Sequence, residues 1–108
     1  MDHMMDEAHT LTAPLWRWTG GNGGTWFFVT IDGTAGEALS ATALMRRLES
    51  GRRAGWGSIR VEVCVGGSTW TTSAFPSRGT GWIVPIKAAV RRTEALAEGE
   101  SVVMDIRF

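Results

Sequence analysis

Few side chains in this 108-residue chain are of the types that carry acid–base, nucleophilic or metal chemistry by themselves. His3 and His9 both lie in the opening segment, so a histidine base or metal ligand would have to come from a stretch that reads as a disordered leader. Cys64 has no second cysteine to pair with and no histidine at ligand spacing, and a lone strand cysteine behaves as a small hydrophobe. Glu62 and Asp105 occupy equivalent places in two similar segments, which raises the thought of a carboxylate pair. Outward strand positions paired with Arg60 or Arg107 are the simpler account. These residues argue against catalysis, and they call for neither a metal nor a cofactor.

Binding chemistry has better candidates. Lys87 and Arg91 stand four residues apart at the start of an expected helix, where two cations repel unless an anion lies between them, so a phosphate or carboxylate ligand is one reading. Pairing of Arg91 with Glu94, with Lys87 solvated, is the plainer one. Trp16, Trp18 and Trp56 sit beside glycines and turns and are candidates for an aromatic pocket, against the ordinary expectation that tryptophans in a small domain are core. Ser73, on an expected strand over residues 68–75, completes the candidate ligand-binding set. Arg46, Arg47, Arg52 and Arg53 cluster at one helix end, where the macrodipole favours cations and a solvated face suffices to explain them.

The elements that must position these groups read as follows. Residues 1–9 form the leader, with three of the five methionines, and residues 10–108 a single domain. Strands are expected over residues 10–18, 25–31, 58–65, 68–75, 82–86 and 101–108. Residues 25–31 are aromatic and β-branched throughout and suit a strand buried on both faces. Residues 20–24, four glycines and an asparagine, make a mobile hairpin loop; because a strand follows, they are no phosphate cradle. Thr34 and Glu37 have capping-box spacing, opening a helix whose stripe Ala38, Ala41, Leu44, Met45 and Leu48 faces inward and which Gly51 stops. A second helix is expected over residues 87–98 with Gly99 as its cap. Six Trp and four Phe with no Tyr should dominate the interior.

Two segments repeat. Residues 58–65 overlie residues 101–108, and Trp26-Phe27-Phe28-Val29 overlies Trp82-Ile83-Val84-Pro85, giving β-β-α-β twice over. A half of this kind cannot close a barrel and two copies can. Eleven basic and eleven acidic residues leave no net field for nucleic acid, and no apolar run has the length of a membrane span or signal segment. Together with the single cysteine this points to a cytoplasmic setting.

Residues 12–16, 55–58, 70–76 and 82–91 resemble, in that order, the bacterial domain of unknown function family numbered 1905. That resemblance implies a mainly β, double-split β-barrel with two short helices, and no activity. Residues 81–108 are also similar to the half-barrel of AbrB-like transition-state regulators, which bind DNA through basic residues; the loop after Trp18 carries none. The expectation is therefore a non-catalytic binding or interaction module for a small anionic or aromatic ligand or a protein partner, monomeric or weakly dimeric. DNA binding is the alternative and an enzyme the third.

Overall fold

The computed structural model describes residues 7–50, 57–78 and 81–108. Six strands and two helices follow in the order β1 (Ala8–Thr19), β2 (Thr25–Ile31), α1 (Gly33–Ser50), β3 (Ile59–Val65), β4 (Ser68–Pro76), β5 (Trp82–Pro85), α2 (Ala88–Thr93) and β6 (Ser101–Arg107). The strands close into an antiparallel barrel of order β1-β2-β5-β4-β3-β6. Exchanging the first three strands with the last three leaves that cyclic order unchanged. Residues 58–65 and 101–108, matched in sequence, lie side by side: Val63 faces Ile106 at the middle of the β3–β6 pairing.

The long first strand makes closure possible. Its residues 8–14 pair with β6 and its residues 15–19 with β2, so one strand serves both sides of the barrel. Pro14, which has no N–H to give, pairs with Ser101 at the changeover, where partnership with β2 has not yet begun. The strand also starts earlier than the sequence suggests. His9 stacks on Phe108 at 5.6 Å, and Glu7 exchanges two backbone hydrogen bonds with Phe108. Residues 7–9 thus belong to the barrel and not to a leader; residues 1–6 lie outside the described residues.

The interior is mainly aliphatic, with Trp82 and Phe108 its buried rings. Period-two alternation sends Ile59, Val61, Val63 and Val65 of β3 and Val102, Met104 and Ile106 of β6 inward to meet Leu15, Val29, Ile31 and Val84. Each such side chain contributes about 1.5–3 kcal/mol of burial. The expected aromatic interior is not found: among the described tryptophans only Trp82 is fully buried. The cause is strand parity. Val29 pairs with Val84, both inward, so Trp26 points out whereas Trp82 points in. The overlay of residues 26–29 on 82–85 is therefore out by one, and a one-residue slip exchanges the faces. For the same reason β2 is not buried on both sides.

Both helices also differ from expectation. Asp32, one residue before α1, accepts the first helical bond from the Gly36 N–H at 3.1 Å, so Thr34 stands inside the first turn and not at the cap. Ala35 and Leu39 are the buried face, Ser40 accepts a 2.9 Å hydrogen bond from the Trp82 indole, and Leu44, Met45 and Leu48 are exposed. The first turns are buried against the barrel, while Ala41, Met45 and Glu49 further along face Glu7 and Phe108 across an open groove. Helix α2 ends at Thr93, because Ala95 takes a left-handed conformation with φ 55°. The Leu96 N–H then bonds to the Arg91 carbonyl at 2.9 Å and the Ala95 N–H to the Arg92 carbonyl at 3.3 Å, a Schellman stop.

Candidate functional site

The aromatic residues excluded from the interior collect outside it. On β1 and β2, Trp18 and Trp26 are cross-strand partners and both point outward. Phe28 follows on the same face of β2 and pairs with Pro85 of β5; Ile83, next on β5, pairs with Phe75 of β4. Four adjacent strands therefore present Trp18, Trp26, Phe28, Pro85, Ile83 and Phe75 as the floor and walls of one open cleft of about 400 Å³, with Pro76 at its edge. Trp18 and Trp26 remain 51% and 55% exposed.

The cleft is held from behind and from the side. Trp16 packs on Phe28 with ring centroids 5.1 Å apart and donates its indole N–H to the Thr30 hydroxyl at 2.9 Å, while Trp26 and Phe28 lie parallel at 6.4 Å. The loop after β1 is tied by its own bonds, Gly20 N–H to Gly24 carbonyl at 2.8 Å and Gly24 N–H to Asn22 Oδ1 at 3.0 Å. At Gly20 the Trp18 ring lies close over the backbone, so a Cβ there would stand 3.0 Å from it. Trp16 and Trp82 have acceptors for their indole N–H groups, whereas the indole N–H groups of Trp18 and Trp26 have none among the described residues.

Lys87 and Arg91 lie in an adjoining groove of about 410 Å³ that shares Trp26 and Pro85 with the cleft. Arg91 does not pair with Glu94. Its guanidinium lies 3.9 Å from the centre of the Phe27 ring and its Nε donates to the Ile86 carbonyl at 3.1 Å, while Glu94 accepts a 2.7 Å bond from the Ser68 hydroxyl. Lys87 precedes α2, exposed, with no acidic partner among the described residues.

Of the other sequence candidates, Ser73 stands opposite Arg60 on the outer face of β4 and lines neither cleft nor groove. Trp56, Arg52 and Arg53 lie outside the described residues, and Arg46 and Arg47 sit on the exposed second half of α1. Glu62 pairs with Arg107 at 4.0 Å and Asp105 accepts a 2.6 Å bond from the Thr10 hydroxyl, so each has a structural partner. Cys64 directs its thiol at the Gly66 carbonyl, 3.7 Å away. No group of His, Cys, Asp and Glu among the described residues could hold a metal ion, and no described helix is long and apolar enough to cross a membrane.

Of the residues that line the cleft, sequence reasoning singled out Trp18 and not Trp26, Phe28, Phe75, Ile83 or Pro85; Trp26 and Phe28 escaped it because it placed the aromatic strand wholly inside. The available signal was parity: Val29 and Ile31, the aliphatic partners of Val84 and Trp82, go inward, which leaves residues 26 and 28 outward. A family model described as "Domain of unknown function (DUF1905)" matches residues 12–106, nearly the whole chain. No curated protein matches it significantly.

Proposed function

The chain belongs to the DUF1905 family, and from that premise we propose that it is a non-catalytic binding module whose ligand site is the outer aromatic cleft. The carrying observation is that Trp18 and Trp26, side by side, are both more than half exposed and both keep an indole N–H without an acceptor among the described residues. A tryptophan buries roughly 150–250 Å² when covered, so half-exposed rings leave about 2–3 kcal/mol of burial unrealised at each. A ligand with an apolar or aromatic body recovers that area. The cations at Lys87 and Arg91 accommodate an anionic group beside it. These features favour the aromatic face over an anion site on α2 alone, and the partner in this reading is a molecule with both characters.

The test is fluorescence of anilinonaphthalene sulfonate, an apolar aromatic anion, titrated with the wild type and with a Trp18→Ser, Trp26→Ser double variant. Both positions are exposed, so the variant should keep the wild-type circular dichroism and melting temperature. Enhancement with the wild type, lost in the variant, is the expected result. Absence of binding by the wild type, or equal binding by the folded variant, removes the proposal.

A further inference from the structure

The hydrogen-bonding character of the cleft restricts what can lie in it. The side chains of its six main lining residues and of Pro76 contain no acceptor at all; the two indole N–H groups are the polar atoms on offer. A peptide laid across this surface would lose water from each main-chain N–H that faces it and gain nothing in return, at a cost of about 1–3 kcal/mol per unsatisfied group. Proline has no N–H. Its carbonyls can accept from the two indoles and its ring packs on aromatic faces, while its preset extended conformation lowers the ordering cost.

Dimensions agree with that chemistry. From β1 to β4 the cleft crosses three strand spacings, roughly 14 Å at about 4.8 Å each, the length of four to five residues of a polyproline helix at ~3.1 Å per residue. Cleft and groove are both open on one side, which leaves a small ligand largely wet and suits an extended chain resting on both. Past the shared ridge of Trp26 and Pro85 the character changes. Lys87 has no acidic partner among the described residues, and the Arg91 guanidinium is already fixed by the Phe27 ring and the Ile86 carbonyl. An acidic residue following the proline stretch meets these two charges.

Building on the binding-module reading, we propose that the occupant is a proline-rich segment of a partner protein in extended polyproline conformation. Its prolines cross the cleft from Phe75 over Phe28 to Trp18 and Trp26, and an acidic residue near Trp26 lies against Lys87 and Arg91.

The experiment titrates the peptide acetyl-Pro-Pro-Ala-Pro-Pro-Glu-Glu-amide into the isotope-labelled full chain and follows indole N–H resonances. Two control peptides carry Ala for every Pro or Gln for both Glu. The signals of Trp18 and Trp26 should shift, and that of Trp82, bonded to Ser40, should not. Trp26→Ser should weaken binding about tenfold, equivalent to ~1.4 kcal/mol, and Lys87→Glu should weaken the Glu peptide severalfold while leaving the Gln peptide unaffected. The inference is overturned by unmoved indole signals at millimolar peptide, or by equal binding of the all-Ala control. It is likewise overturned if the chain self-associates in sedimentation and Trp26→Ser abolishes this, which would make a second copy the occupant. Peptide failure with dye binding in the cleft intact removes this inference and leaves the binding module standing; failure of both removes both.

Discussion

Replacing Ala95 by glycine distinguishes the helix end found in the structure from the one the sequence suggests, because the two predict opposite signs. Ala95 has φ 55°, the left-handed conformation that costs a residue with a Cβ about 1–2 kcal/mol. Glycine removes that cost and adds unfolded-chain entropy worth about 0.4–1 kcal/mol against folding. The net is a stabilisation of roughly 0.5–1 kcal/mol, or about 2–8 °C in melting temperature for a domain near this size. Had α2 run to Glu98, residue 95 would be helix interior and glycine would cost about 1 kcal/mol. Ala89→Gly is the internal control: Ala89 is exposed and inside α2, so that change should destabilise by about 1 kcal/mol. Urea unfolding of the three proteins reads both, with the midpoint moving up for one and down for the other at constant slope. A lower midpoint for Ala95→Gly refutes the Schellman stop.

Two further substitutions test how α1 and β5 are seated. Gly81→Ala should lower stability by more than about 2 kcal/mol, since φ is 79° and a Cβ would stand 2.5 Å from the Ile31 carbonyl oxygen; a melting temperature within a degree of wild type contradicts this. Ser40→Ala takes the acceptor from the buried Trp82 indole and should cost about 1–3 kcal/mol, measured by urea unfolding. An unchanged midpoint would mean that this bond does not hold α1 to the barrel.

Much of the barrel is legible in the chain because its strands obey local rules. Ile59, Val61, Val63 and Val65 alternate cleanly, and Gly66-Gly67 turns the chain where β3 and β4 meet. What was not legible depends on the neighbours of a strand. Residues 25–31 offer large apolar groups on both faces, so composition alone cannot say which face is inside; only pairing with β5 decides that Val29 and Ile31 go in and Trp26 and Phe28 stay out. In α1 the periodic apolar stripe continues through Leu44, Met45 and Leu48, which stay exposed, because periodicity reports amphipathic character and not how closely a partner surface approaches. The end of α2 was hidden because alanine is the best helix former, yet Ala95 occupies a position where glycine is usual. The candidate site inherits these limits: Trp18 could be proposed from its place beside the glycine turn, but the cleft it belongs to is assembled from four strands, two of them more than fifty residues away.

The alternation of β2 separates two tasks along seven residues of backbone. Positions 29 and 31 answer to the interior and can change only within its volume, whereas positions 26 and 28 answer only to whatever lies on the surface. The outer surface of this barrel can therefore change by exchange of side chains at outward positions of β1, β2, β4 and β5 with no compensating change inside. A single-residue insertion in β2, by contrast, would trade the two sets and destroy fold and site together.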